Sequence, residues 1–322
     1  MIVFRALHEH EIEKWLDFIS SEIFTKVPRE YFANQWYTDP DREAAGVFAA
    51  FDEHGDILSS LRVFRRSIYI GGETVLGGGI GSVGTKAEYR GQGLCSRLFE
   101  LCTEYMLNSG ICYSWLLCGE HNEGFYNRFA YHKIPFQRNI AEVGEGKSLP
   151  QGLSVRRAVF PEDIEYLAQM HAQFSGSMNG SVVRGRAYWE QWVPTFKHGS
   201  YHLVEDAAQL PIAYANIENE LDGKQIFIFD YGYMAGNSAV FDALISATAL
   251  AHGRDDLQVV YQSVIASDLP VTGQREMCCV MVKLISPFSI GNILVSTAAE
   301  LLAVFHGEGA ESKFLLWEID DI

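Results

Sequence analysis

The segment Gly81–Leu98 reads Gly-Ser-Val-Gly-Thr-Lys-Ala-Glu-Tyr-Arg-Gly-Gln-Gly-Leu-Cys-Ser-Arg-Leu. It has the form of a strand end, a basic turn with glycines at 91 and 93, and the start of an amphipathic helix. Backbone N–H groups at a helix N-terminus lack intrahelical acceptors, and the helix dipole adds partial positive charge there. Such a turn suits a phosphate or pyrophosphate, and Lys86, Arg90 and Arg97 add mobile positive charge. The same glycines also suit a tight strand-to-helix turn needed for geometry alone, and a lone G-x-G does not separate the two readings. Further along, Asn122-Glu123-Gly124-Phe125-Tyr126-Asn127-Arg128-Phe129-Ala130-Tyr131 holds a phenol, Tyr126, that could give a proton to a departing thiolate. It could equally be one more aromatic packed on a sheet, as Phe129 and Tyr131 are expected to be. Glu120 and His121 follow an apolar strand and are either proton acceptors or solvated loop residues.

The elements that must position these groups are legible from periodicity. Val3–Ala6 starts a strand, and an acidic turn and a helix through Trp15 and Leu16 follow. Strands are expected at Gly46–Phe51 and Ile57–Ile70, joined by the turn 52–56, and at Thr74–Thr85 after Gly71-Gly72-Glu73. A helix follows with Leu94, Leu98, Leu101 and Tyr105 on one face. Then come an apolar strand at Cys112–Cys118, a short helix around Gly124–Phe129 and a strand from about Tyr131 to Val143. A faint repeat begins at Val155-Arg156-Arg157-Ala158, which matches Val3-Phe4-Arg5-Ala6 and is again followed by an acidic helix start. The second copy continues with a helix through His171, strands at His202–Asp206, Ile212–Glu218 and Gln225–Tyr233, a helix at Ala239–Ala251 and a strand at Leu257–Ser263. Residues 275–322 add an apolar strand (Cys278–Ile285), a helix (Ile290–Phe305) and a closing strand (Phe314–Ile319). Glycines, a proline and a serine between Val143 and Gly152 mark a linker. The division expected is 1–145, 146–273 and 274–322, in the α/β class with mixed sheets.

Composition bounds the function. The 322 residues exceed one ordinary domain, and 48% hydrophobic against 20% charged residues supplies a large core. The net charge is −16; residues 1–150 carry 20 acidic and 15 basic side chains, the remainder 21 and 10. That balance repels nucleic acid and anionic lipid and attracts amines. Six cysteines without C-x-x-C spacing and ten scattered histidines argue against a metal site or a disulfide framework. Trp189 and Trp192 sit at helical spacing and read as core, and Asp320-Asp321 as a solvated tail. Met1–Arg5 lacks the apolar stretch of a signal peptide, and no run is long enough to span a membrane, so a cytoplasmic protein is expected.

Arg90-Gly91-Gln92-Gly93-Leu94-Cys95 resembles the R/Q-x-x-G-x-G/A signature of the GCN5-related N-acetyltransferase (GNAT) superfamily, with Cys95 where Gly or Ala is usual. Asn122–Tyr131 looks like that family's N-x-x-x-x-Y-x-x-x-G-F ending, with Ala130 in place of Gly. The resemblance covers about residues 1–142 and implies tandem GNAT folds. The second copy is degenerate: Gly232–Ala239 stands where a cradle would be and has no basic residue. Two fused copies plus a C-terminal extension resemble the Eis-type acetyltransferases. The resemblance implies acetyl-CoA as co-substrate, with Arg90, Gly91, Gln92, Gly93, Leu94, Cys95 and Ser96 at its pyrophosphate. It also implies Val83 and Thr85 along the pantetheine arm, Asn122 at the cofactor and Tyr126 as the general acid. In that type the C-terminal carboxylate acts as a base; here Glu120, His121, the Ile322 carboxylate and water all stay open. The expected function is acetyl transfer to a primary amine of a small molecule or peptide: an aminoglycoside, a polyamine or a lysine-like acceptor. A non-catalytic acyl-CoA-binding or regulatory protein is the alternative. No metal, nucleic-acid or membrane partner is expected, and self-association into a homo-oligomer is left open.

Overall fold

The computed structural model describes residues 1–143, 149–196, 199–219, 223–237, 240–252, 257–276, 279–306, 314–317 and 320. The first half runs β1 (Val3–Ala6), α1 (Ile12–Phe18), α2 (Arg29–Tyr37), β2 (Val47–Phe51), β3 (Ile57–Ile70), β4 (Glu73–Thr85), α3 (Leu94–Asn108), β5 (Tyr113–Cys118), α4 (Glu123–Asn127), β6 (His132–Ile134) and β7 (Gln137–Glu142). The second half runs β8 (Ser154–Arg157), α5 (Ile164–Ser175), α6 (Val193–Phe196), β9 (Ser200–Glu205), β10 (Pro211–Asn219), β11 (Gln225–Tyr233), α7 (Val240–His252) and β12 (Gln258–Gln262). After it come β13 (Val271–Glu276), β14 (Cys279–Leu284), β15 (Phe288–Ile290), β16 (Ile293–Val295) and α8 (Ala298–His306). Two seven-stranded sheets of mixed, mostly antiparallel pairing result, flanked by helices.

The sheets trade strands. The first is ordered β1-β2-β3-β4-β5-β14-β6 and the second β13-β7-β12-β11-β10-β9-β8. The expected strand from Tyr131 to Val143 is therefore two: it breaks at Pro135, β6 ending the first sheet and β7 entering the second. In turn β14, from the expected C-terminal extension, lies antiparallel between β5 and β6, with Cys279 opposite Cys118 and Leu284 opposite Tyr113. The cuts at 145 and 273 in the sequence are thus crossed by strands in both directions. Cys-Val-Met-Val-Lys-Leu suits the place, since a strand flanked on both sides in a covered sheet is an apolar run.

Three other expectations change. The expected helix Ile290–Phe305 is a hairpin, β15 and β16, turned at Gly291 (φ 54°), and then α8. The helix starts at Ala298 because Thr297 and Glu300 form a reciprocal cap: Glu300 accepts the Thr297 amide at 2.9 Å and gives its own to the Thr297 hydroxyl at 3.2 Å. Of the closing strand the described residues form a single parallel bridge, Asn179 to Phe314, with the Leu315 amide donating to the Asn179 carbonyl at 2.9 Å; residues 318–319 lie outside the described residues. On α3 the deepest seam is Leu98, Phe99, Cys102 and Met106, while Leu101 and Tyr105 stay half-buried. The seam packs on β4, whose Leu-Gly-Gly-Gly run is needed for contact: a Cβ on Gly78 would stand 2.9 Å from Met106 Sδ and one on Gly77 2.8 Å from the Trp115 ring. Trp189 and Trp192 are fully buried core.

The N-terminal strand is pinned by charge. Arg5 of β1 holds both carboxylate oxygens of Glu11 at 2.7 Å, and that hydrogen bonding pulls the Glu11 carboxyl from 4.5 down to about 2. A lowered folded pKa adds stability above the unfolded value that is lost as pH falls through the folded one. Glu11→Gln is therefore expected to be less stable than the parent at pH 7, with the gap closing between about pH 4.5 and 2. Urea midpoints measured across that range check this; a gap independent of pH would refute it.

Candidate active site

In the first sheet β4 and β5 pair in parallel through only three partners, Gly77–Tyr113, Gly78–Ser114 and Gly79–Trp115, and then part. Along the parted stretch β4 gains one residue against β3 between Gly81 and Gly84, where Ser82 takes φ 51°. A bulge of this kind bends a strand and re-aims its groups. The far end is fixed by β3: Ser59 Oγ donates to the Gly84 carbonyl at 2.9 Å and meets Thr85 Oγ1 at 2.8 Å, while the Lys86 amide donates to the Leu58 carbonyl at 2.9 Å. A cleft of about 570 Å³ runs along the parted end of β4.

Ten of the eleven residues singled out in the sequence line this cleft. Val83 and Thr85 form one wall; Arg90, Gly91, Gly93, Leu94, Cys95 and Ser96 form the turn and first helical residues opposite; Asn122, just before α4, and Tyr126 of α4 close it. Gln92 is not on the wall, and its side-chain amide donates to the Glu88 carbonyl at 3.3 Å. Gly91 and Gly93 have φ 74° and 79°, and a Cβ on either would meet nothing within 4 Å. Their left-handed backbone, rather than crowding, demands glycine. Gly93 caps α3, whose 15 residues direct the positive end of their dipole at the cleft. Arg90 Nε donates to the Thr85 carbonyl at 3.2 Å, tying the turn to the strand.

Five wall residues are not among those eleven: Ile23, Gly84, Tyr89, Phe125 and Arg128. Arg128 had a signal, a cation two residues after Tyr126 at the end of a short helix; its guanidinium lies 4.8 Å from the Phe125 ring centre. Ile23 had none. It sits at the end of a π-helical turn, Ile19–Ile23, and reaches the strand only because Gly84 lacks a Cβ, which would stand 2.3 Å from Ile23 Cγ2. Glu120 and His121 lie on an exposed 3-10 turn outside the wall. Residues 321–322, with the Ile322 carboxylate, lie outside the described residues.

Tyr126 is buried, edge-on to Phe99, Phe125 and Tyr131 at 5.1–6.4 Å. Burial, with lesser help from the Cys95 and Cys118 thiols, raises its phenol above 10. The proton therefore stays on at neutral pH, and the hydroxyl makes no hydrogen bond among the described residues. Cys95 stands on the same wall, and burial pushes its thiol up to about 12. The thiol form therefore prevails at neutral pH, whereas the nucleophile is the thiolate. A Cys95→Ser variant is thus expected to keep turnover within about threefold of the parent by thiol-release assay; loss of turnover would mark Cys95 as a covalent carrier.

The second sheet repeats the first. β11 and β12 also pair in parallel through three partners, from Gln225–Gln258 to Phe227–Val260, and then part. Here the C-terminal segment comes in. Gln262 donates to the Leu316 carbonyl at 2.5 Å and Trp317 to Ser175 Oγ at 3.2 Å. Asp320, expected in solvent, is fully buried: Arg184 donates to both its oxygens at 3.0 Å and Tyr188 to one at 3.0 Å. Arg184 in turn holds Asp230 of β11 at 2.5 Å. Of Gly232–Ala239, the second copy's counterpart to the cradle, residues 238–239 lie outside the described residues.

The first sheet thus sets a strand end, a turn and the N-terminus of α3 along one cleft, with the Tyr126 phenol beside them. Residues 3–134 match the family model described as an acetyltransferase (GNAT) domain. No curated protein matches the chain in sequence. Among solved structures, a conserved Enterococcus faecalis protein described as a probable N-acyltransferase is 14% identical, with TM-score 0.71 over 88% of this chain and 73% of its own. Eis1 of Mycobacterium abscessus is 15% identical, with TM-score 0.62 over 88% and 74%. Saccharomyces cerevisiae N-myristoyltransferase, solved with bound myristoyl-CoA, is 9% identical, with TM-score 0.53 over 87% and 82%. At these identities the likeness is one of fold, and it extends across both sheets. No helix among the described residues is long and apolar enough to cross a membrane.

Proposed function

We propose that this protein is an acetyl-CoA-dependent N-acetyltransferase that acetylates a primary amine of a cationic acceptor. Aminoglycosides, polyamines and lysine-like side chains are the classes in view. One observation carries the reading: the α3 turn, the unpaired length of β4 and the Tyr126 phenol line a single cleft. The turn's amides and Arg90 suit a pyrophosphate, and the backbone of Val83–Thr85 offers partners to a pantetheine amide. The bound myristoyl-CoA of the yeast neighbour supports an acyl-CoA in this fold. A net charge of −16 favours amines near the surface.

In the proposed step the neutral amine attacks the thioester carbonyl, the C–N bond forms and the C–S bond breaks. Tyr126 gives its phenolic proton to the leaving sulfur and regains one from water, and the amine nitrogen releases one to water. High-pKa Cys95 disfavours an acyl-cysteine detour, which supports direct attack. Calorimetric titration with coenzyme A, then thiol release from acetyl-CoA in the presence of spermidine, kanamycin and lysine peptides, tests the reading. Binding with amine-dependent release is expected. Binding without release to any amine would favour the non-catalytic alternative, and absence of binding would remove the cradle itself.

A further inference from the structure

A second cavity, about 630 Å³, lies between α7 and the β8–β10 end of the second sheet. Strand register decides which side chains face it. Arg157 of β8 stands opposite His202 of β9, and Ser200, two residues before His202, stands opposite Ile217 of β10. Side chains alternate along each strand, so Val155, Arg157, Ser200, His202 and Ile217 share one face, and all five line the cavity. Tyr201 and Leu203, both buried, take the other face. Arg156 goes with them, held by Asp163 at 2.6 and 2.8 Å and by Glu205 at 2.7 Å. Ala247 and Thr248 of α7 wall the cavity from across.

The first sheet fills the same corner. There Arg5 of β1 grips Glu11 as Arg156 grips Asp163, so Ala6, the residue after Arg5, holds the place of Arg157. Opposite Ala6 stands Phe48, whose ring meets that of Tyr105 on α3 at 5.6 Å, and the corner is packed core. In the second sheet a guanidinium and an imidazole replace the apolar pair and face small side chains of α7, which leaves the space open. Its lining is one-sided in charge. Residues 151–322 carry 21 acidic and 10 basic side chains, yet among the described residues the lining holds no carboxylate. Arg157 is exposed and Ser200 half-buried, and neither the guanidinium nor the hydroxyl has a hydrogen-bond partner among the described residues. Two donors therefore face the space beside the apolar walls of Val155, Ile217 and Ala247. Small-molecule sites have this make-up, spanning about 300–1,000 Å³ with a few polar groups on a mostly apolar lining. One guanidinium and one hydroxyl suit a single negative charge, whereas an amine would find no carboxylate to balance its own.

We propose that this cavity binds an organic monocarboxylate with an apolar tail, its carboxylate on Arg157 and Ser200 and its tail between β10 and α7. Octanoate is the probe, with octylamine and inorganic phosphate as comparisons for the charge and the tail. Calorimetric titration at neutral pH is expected to show saturable binding of octanoate and none of the other two. Saturating coenzyme A should leave octanoate binding unchanged, because no residue of the first cleft lines this cavity. Arg157→Gln, a change at an exposed side chain, should weaken octanoate at least about tenfold. Ala247→Phe, checked for folding by near-UV circular dichroism, puts a ring into the corner as in the first sheet and should abolish binding. No saturable binding in the parent protein, or equal binding in Arg157→Gln, would overturn the proposal. Competition by coenzyme A would overturn it too, by moving octanoate to the first cleft. Octylamine or phosphate binding as tightly as octanoate would overturn the monocarboxylate assignment.

Discussion

Replacing Tyr126 by phenylalanine is expected to lower kcat for amine-dependent thiol release by about 10²–10⁴, the usual worth of a positioned acid, with KM for acetyl-CoA little changed. The substitution is structurally quiet, since the hydroxyl holds no hydrogen bond among the described residues and the ring contacts survive. Stability should therefore stay within about 0.5 kcal/mol of the parent, which separates a chemical effect from a folding one. Because burial raises the phenol above 10, its ionisation should not depress activity at any pH below that value. A pH–rate profile shows whether this holds. Undiminished turnover in the variant would return Tyr126 to the aromatic core formed by Phe99, Phe125 and Tyr131.

The second large effect is one of stability. Asp320→Ala is expected to cost about 3–5 kcal/mol, because it leaves the fully buried Arg184 with one carboxylate where it has two. Tyr188 loses its acceptor as well. Against a typical total of about 5–15 kcal/mol this is a large fraction, and urea unfolding would read it directly. A loss under about 1 kcal/mol would mean that the C-terminal segment is not seated on Arg184 in solution.

What was legible in the sequence was local. Strand and helix periodicities, the turns at 52–56 and 71–73, and the strand-turn-helix form of Gly81–Leu98 depend on neighbours in the chain, and these elements stand close to where they were expected. The cleft residues were readable because both motifs sit at strand ends that the fold brings together. What stayed hidden was long-range. An apolar strand carries no mark of its partner, so the placement of β14 beside β5 could not be read. The acidic ending Glu-Ile-Asp-Asp-Ile looked solvated because Arg184, which buries Asp320, lies far back in the chain. At α8 the capping residues Thr297 and Glu300 were present in the sequence, and the apolar run before them masked the hairpin.

The traded strands also set an order of events during synthesis. The first sheet cannot close until residue 284 has left the ribosome, since β14 is its sixth strand and arrives after all seven strands of the second sheet. Until then the facing borders of β5 and β6 are bare, and such borders invite adhesion to other nascent chains. A fragment ending at residue 145 is accordingly expected to precipitate when expressed alone, and the cradle to acquire its grip late, as one of the last features of the newborn protein to mature.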